Sequence, residues 1–369
     1  MKQTKMIAGA AAVILTLGLI GGGVAYYDRQ QRIQKEAELR KQAEELNTTK
    51  WTFDNTIYLA DRYFGFEHRM ETFLFVGTDA SGNEEGTLEE TDKPRQTMDN
   101  YGTENGADDP YRGAMADFLL LMVLDHTDNT YGYIQIDRNT ITEVEELNED
   151  GDMIEARDQQ ICTAHWYGLT PEMAAVNTET AVRKLLGELD HIDGYFVLNM
   201  ADIGTLNHTV GGVEVTIEDD LTAADPAFKA GTTLTLTDEQ AEAYIRARMN
   251  VGDGSNTARM DRQKQYMDHF FEKAREITKD RPNFANELWE SLHTVGTTDM
   301  KGNDFSRISQ MFLKGTGKGI LRPEGETKIG QVLEDGIDHE EFFPDTKSLI
   351  EIMNQLFTLE LVPEDQEPT

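Results

Sequence analysis

Cysteine is nearly absent: one residue, Cys162, stands in 369. A single thiol excludes an intramolecular disulfide framework and any metal centre built from several cysteines. The eight histidines are scattered and form no HxxxH-type pair, so a zinc hydrolase reading finds no ligands. Basic residues are also scarce, 34 Lys and Arg against 68 Asp and Glu, which gives a formal charge of −34 and a pI near 4.5. Such a surface repels phosphate backbones at long range and shows no basic stripe, so DNA or RNA is not expected as a partner. No internal repeat is visible. What remains is a chain with 38% hydrophobic and 28% charged residues, folded and long enough for one large domain or two modest ones.

One segment departs from the soluble pattern. Met6–Tyr27 (MIAGAAAVILTLGLIGGGVAYY) carries no charge, and about 20 such residues cross a bilayer as a helix. Tyr26 and Tyr27 fall where an interfacial aromatic belt lies. A cleaved signal peptide is the alternative, but its apolar region is usually shorter and ends in small residues. The segment is therefore read as an uncleaved signal anchor. Lys2 and Lys5 precede it, while Arg29, Arg32, Lys35, Arg40 and Lys41 follow; that count alone leaves the topology open. Residues 28–55 read as a polar helical stalk.

The body alternates strand and helix signals. Thr72–Val76, Phe118–Leu124, Tyr131–Ile136 and Tyr195–Leu198 read as buried strands. Thr170-Pro171 predicts a helix start, running to about Leu186. Asn199 caps a short helix, and Val213–Ile217 alternates as a strand. Thr237–Gln240 fits a capping box for a helix through Ala247. A long amphipathic helix is predicted from about Thr257 to Thr278, and a weaker helical signal covers Lys347–Leu359. The fold class is α/β, or α+β layered, with a mixed sheet. The polar stretch Ser81–Tyr111 reads as a long insertion loop.

Charged residues at the rims of these strands are the candidate chemistry. Asp79 follows the first strand, Asp117 opens the second and Arg138 follows the third. Charges flank buried strands in many proteins, so each alone is weak. The arginines are more specific. Arg259, Arg262 and Gln263 share one helical face near a helix N-terminus, where the macrodipole disfavours cations unless an anion is bound. Arg246 and Arg248 are two apart and share a site only if their helix ends there. Together they read as an anion clamp, since guanidinium forks suit phosphate. Aspartates beside such a clamp make sense if Mg²⁺ bridges them to phosphate.

These stretches, in order, resemble the LytR-CpsA-Psr family. The pieces are FLFVGTD (Phe73–Asp79), ADFLLLMVL (Ala116–Leu124), YIQIDRNT (Tyr133–Thr140) and ICTAHWYG (Ile161–Gly168). They continue with DGYFVLNMADIGTLNHTVGGVEVTI (Asp193–Ile217), LTDEQAEAYIRAR (Leu236–Arg248) and ARMDRQKQ (Ala258–Gln265). The resemblance implies an αβα domain with a central mixed sheet over 56–280, with 81–111 as insertion. An N-terminal tail (1–5), the transmembrane anchor (6–27) and the stalk (28–55) precede it, and a C-terminal extension (281–369) packs on it. It implies a Gram-positive membrane protein, single-pass, with an extracytoplasmic body that transfers a glycopolymer from a polyprenyl-pyrophosphate donor to peptidoglycan. Asp79 and Asp117 match the Mg²⁺-linked (or Mn²⁺-linked) aspartates, with Arg138 beside them as catalytic residue. Arg138, Arg246, Arg248, Arg259 and Gln263 match pyrophosphate-gripping positions, with Arg262 beside them. Three departures are visible: Met115-Ala116 stand where an arginine and a serine are usual, Asp137-Arg138-Asn139 replaces Pro-Arg-Asp, and the Ser81–Tyr111 insertion separates Asp79 from Asp117 by 38 residues. They keep open a second reading, a scaffold or regulatory protein that binds the lipid pyrophosphate without transferring it.

Overall fold

The apolar run ADFLLLMVL has no polar side to offer water, and it becomes the middle of a sheet covered on both faces. In the computed structural model, which describes residues 50–78, 114–148, 151–168, 170–247, 254–281, 283–330, 332–333 and 339–368, that sheet has six strands. They are β1 (Met70–Thr78), β2 (Ala116–Asp125), β3 (Thr130–Ile136), β4 (Gly194–Asn199), β5 (Thr297–Thr298) and β6 (Thr316–Leu321). Their spatial order is β5-β4-β1-β2-β3-β6. β1–β2 and β2–β3 are antiparallel, β1–β4 and β3–β6 parallel, so the sheet is mixed as expected. The expected anchor (6–27), stalk residues 28–49 and the insertion 81–111 lie outside the described residues. Among the described residues no helix is long and apolar enough to cross a membrane.

Alternation along β2 divides the core in two. Leu119, Leu121 and Val123 face one layer, while Leu120, Met122 and Leu124 face the other. The first layer holds α1 (Pro171–Leu185), the short helical turn Thr163–Trp166 and, further along the chain, the Thr346–Phe357 helix. The second holds α2 (Ile203–Thr209), α3 (Asp238–Arg246), α4 (Asn256–Asp280), α5 (Phe284–Leu292) and α6 (Gly302–Lys314). The start signals act as read. Thr170 Oγ1 accepts the Met173 N–H at 3.2 Å with Pro171 next in line. Thr237 and Gln240 form the reciprocal capping box of α3, and Ser255 caps α4 by accepting Ala258 N–H at 3.1 Å.

Residues beyond 280 do more than cover the sheet, since they supply its two edge strands, β5 and β6. An acidic hairpin, Ile141–Leu147 with Met153–Gln160, also forms where no apolar pattern announced it. Its outer strand is exposed on both faces from Met153 to Asp158.

Candidate functional site

Asp117 owes its position to an irregularity in β2. Gly77 pairs with Phe118 and Thr78 with Ala116, which leaves Asp117 without a cross-strand partner. Such a bulge re-aims a side chain at the rim of a sheet. The Asp117 carboxylate lies between two guanidiniums, with Oδ1 3.0 Å from Arg138 Nε and Oδ2 3.1 Å from Arg259 Nη1. Three of the expected site residues, from β2, from the turn after β3 and from the first turn of α4, thus meet in one place.

Each arm is braced. Arg138 opens the turn after β3 and directs Nη2 to Met115 Sδ at 2.9 Å and Cys162 Sγ at 3.1 Å. The backbone of Cys162 in turn donates to Arg138 O and accepts from Ala116 N–H, both at 3.2 Å. Met115, one of the departures, is therefore a direct neighbour of the arginine. Arg259, 5% exposed, donates from Nη2 to Asn256 Oδ1 at 2.5 Å. Asn256 donates from Nδ2 to Asp137 Oδ1 at 2.7 Å, and the same oxygen accepts Asn139 N–H at 2.8 Å. Burial pushes the Asp137 pKa up, against the pull of these hydrogen bonds and of Arg259 and Arg138.

The next turn of α4 behaves differently. Arg262 donates from Nη2 to Ala247 O, and Gln263 from Nε2 to Ile245 O at 3.4 Å. Both oxygens are at the C-terminal end of α3, where backbone carbonyls lack helical partners. α3 ends at Arg246, as a shared arginine site requires. Arg246 itself pairs with Glu242 one turn back, 2.7 Å away, with a third of its side chain in solvent. Asp79 and Arg248 lie outside the described residues. Asn139, the second departure, donates to Glu340 Oε2 at 3.3 Å.

Beside this charge cluster an apolar cavity of about 200 Å³ runs between the sheet and the second helical layer. Phe118, next to Asp117, lines it together with Phe75, Leu120, Met122 and Phe196 from the sheet. From α4 come Gln263, Tyr266, Met267, Phe270, Phe271 and Ala274. One face of α4 thus passes from guanidinium through amide and phenol to hydrocarbon, a gradient matched to a molecule with a charged head and an apolar tail.

For a metal, Asp117 supplies one carboxylate that already faces two guanidiniums. That donor suits Mg²⁺ only with a second carboxylate and phosphate oxygens completing the shell. Among the described residues, the one group of three side chains close enough to share an ion is His68, Asp125 and Asp128. It stands at the far end of β2, where His68 Nδ1 lies 2.7 Å from Asp125 Oδ2. Asp125 Oδ1 accepts the N–H groups of Thr127 and Asp128, so the turn after β2 accounts for that geometry.

A model of the LytR_cpsA_psr family matches residues 67–358. The chain belongs to the LytR-CpsA-Psr family. The match takes in the sheet strands beyond 280 as well as the charge cluster. Solved structures share the fold. Protein gbs0355 of Streptococcus agalactiae has a TM-score of 0.56 at 16% identity, over 78% of this chain and 86% of its own. TagV of B. subtilis has 0.53 at 19%, over 79% and 96%. TagT, solved bound to LI-WTA, has 0.51 at 16%, over 78% and 89%. No curated protein matches the chain.

Sequence reasoning missed Asp137 and Asn256. The available signal was an Asp two residues before a backbone N–H it can accept, the pattern of an Asx turn closing a strand end.

Proposed function

We propose that the chain is a phosphotransferase that attaches a polyprenyl-pyrophosphate-linked glycopolymer to peptidoglycan and releases polyprenyl phosphate. The observation that carries this reading is the Asp117–Arg138–Arg259 cluster at the head of an apolar cavity. Family membership, and a neighbour of the same fold, TagT solved bound to LI-WTA, support it. The donor's diphosphate is assigned to Arg138 and Arg259, with Arg262, Gln263, Arg246 and Arg248 as further proposed contacts, and its lipid to the cavity. A hydroxyl of a muramic acid residue attacks the sugar-side phosphorus. The new P–O bond forms as the bond to the bridging diphosphate oxygen breaks, and polyprenyl phosphate leaves. Asp79 is the proposed acceptor of the hydroxyl proton. Arg138 and Arg259 neutralise charge on the leaving phosphate, and their fixed positions avoid reorganisation during reaction.

Asp79 and Asp117 are the proposed ligands of Mg²⁺, with Mn²⁺ as the alternative. When bound, the ion would add to charge neutralisation at the diphosphate. Met6–Tyr27 is the proposed membrane anchor, with the body on the extracytoplasmic side, where lipid donor and wall acceptor meet.

The second reading, a lipid-pyrophosphate scaffold without transfer, draws on the contacts of Arg262 and Gln263 with backbone carbonyls. One experiment separates the two. The full chain in detergent is given polyprenyl-pyrophosphate-linked sugar, peptidoglycan oligomers and Mg²⁺, and polyprenyl phosphate release is followed. Release that needs the metal and is lost in Arg138→Ala is expected of a transferase. Tight binding without release selects the scaffold, and neither binding nor release removes both.

A further inference from the structure

We infer that Asp137, acting through Asn256, is the positioning residue of Arg259. The inference rests on the pyrophosphate reading only for its catalytic consequence; the arrangement itself is geometric. Arg259 is buried in the first turn of α4, at the positive end of the helix dipole, where a cation is disfavoured. Its Nη1 faces Asp117 Oδ2 at 3.1 Å. The second contact, Nη2 to Asn256 Oδ1 at 2.5 Å, fixes the plane of the fork.

Asn256 can hold that plane only if its own amide is held. A side-chain amide in rotation offers Arg259 an oxygen in one orientation and an NH₂ group in the other. Asp137 removes the ambiguity. Its Oδ1, 2.7 Å from Asn256 Nδ2, can only accept while ionised, so the NH₂ must face Asp137 and the oxygen must face Arg259. Asp137 is oriented in turn by the Asn139 backbone N–H at 2.8 Å. The relay therefore runs from Asn139 N–H through Asp137 and Asn256 to Arg259 and ends on Asp117 and Arg138. It also places a second carboxylate next to the two arginines. In this chain, where an amide occupies position 139 and turns to Glu340, the carboxylate of that turn sits two residues earlier and reaches the site indirectly.

The test compares the wild type with Asp137→Asn, Asn256→Asp and the double exchange Asp137→Asn/Asn256→Asp, as full chains in detergent. The exchange lets an amide at 137 donate to a carboxylate at 256, which accepts from Arg259, and gives up the Asn139 N–H contact, since one Asp137 oxygen serves both partners in the wild type. Two readouts are taken. The first needs no substrate: ¹⁵N-arginine spectra, with Arg259→Lys assigning the signals. Slowly exchanging, resolved Nη protons of Arg259 are expected in the wild type, averaged in Asp137→Asn and resolved again in the double exchange. The second is turnover. Asp137→Asn is expected to lower kcat about tenfold with donor KM within about twofold, and the double exchange to return kcat to within about threefold.

A merely structural role would lower the melting temperature and leave kcat per folded molecule unchanged. Arg259 signals identical in Asp137→Asn and the wild type, or a double exchange no better than the worse single, would overturn the inference. If the wild type shows no turnover while the spectra follow the expected pattern, the positioning stands and the transferase reading falls.

Discussion

Arg259 reaches across 142 positions of sequence to set its Nη1 3.1 Å from the carboxylate of Asp117. Because Arg138 lies on the other oxygen at 3.0 Å, one carboxylate holds apart two largely buried cations. Removing it takes that contact from both guanidiniums, a change that costs roughly 3 kcal/mol or more in comparable buried pairs. Asp117→Ala is therefore expected to lower the melting temperature. Inorganic pyrophosphate at millimolar concentration should restore much of the loss, because an oxyanion can take the place of the carboxylate. Melts of wild type and variant with and without pyrophosphate check this. A variant that melts low and does not respond to pyrophosphate would remove the idea that the cluster is an anion site.

Much of this geometry is written in the sequence, and some is not. Thr170-Pro171, Thr237–Gln240 and the apolar runs of β1, β2 and β3 announce themselves because caps and uninterrupted hydrophobic stretches are local signals. Asp117 and Arg138 were visible as rim charges for the same reason. The bulge that turns Asp117 toward the arginines was not, since it depends on the register between β1 and β2. Strand β6 (TGKGIL) hides behind two glycines and forms because β3 offers it an open edge. Arg262 and Gln263 show the limit from the other side. Their helical spacing marks a shared face, but only tertiary packing shows that the end of α3 lies against that face.

The cavity makes a separable prediction. Ala274 lines it from α4, two turns below Tyr266, and Ala274→Phe places a ring in the space assigned to lipid. Affinity for a long-chain polyprenyl phosphate should fall by about tenfold or more, while inorganic pyrophosphate binding stays unchanged. The overpacking itself is expected to cost roughly 1–3 kcal/mol of stability. Calorimetric titration with both ligands reads the two arms. Equal loss of both ligands would mean that the ring disturbs the charge cluster and that the cavity is not a separate lipid subsite.

Acid sensitivity should trace to a histidine outside the site. His165 is 1% exposed with Nδ1 2.8 Å from Ala114 O, and burial pushes its pKa down to about 4. The unfolded imidazole titrates near 6.5, so between those values the unfolded chain binds a proton that the folded chain refuses. The stability concerned is fully present above pH 6.5 and is lost as pH falls toward 4, by up to about 3 kcal/mol. His191, paired with Asp190 and Asp193, has its pKa raised to about 10 and acts in the opposite sense, losing its contribution as pH rises past 6.5 toward 10. Urea midpoints measured from pH 7 to pH 5 should fall in the wild type and flatten in His165→Gln. The same slope in both proteins would assign the acid loss elsewhere.

Asn139 is one of the departures from the family pattern, and its contacts tie it to the strand Glu340–Pro344. Its Nδ2 donates to Glu340 Oε2 at 3.3 Å, its Oδ1 accepts from Gln160 Nε2 at 3.3 Å, and its backbone oxygen accepts Phe342 N–H at 2.8 Å. Asn139→Asp restores a carboxylate at this position but sets it against Glu340. The expected result is a loss of about 1–2 kcal/mol in stability with no gain in transfer. Glu340→Gln added to it supplies an amide donor for the new carboxylate, so the double variant should recover, with a coupling energy above about 0.5 kcal/mol in the mutant cycle. If Asn139→Asp instead accelerates polyprenyl phosphate release, position 139 bears on the reaction, and the strand contact is only its resting arrangement.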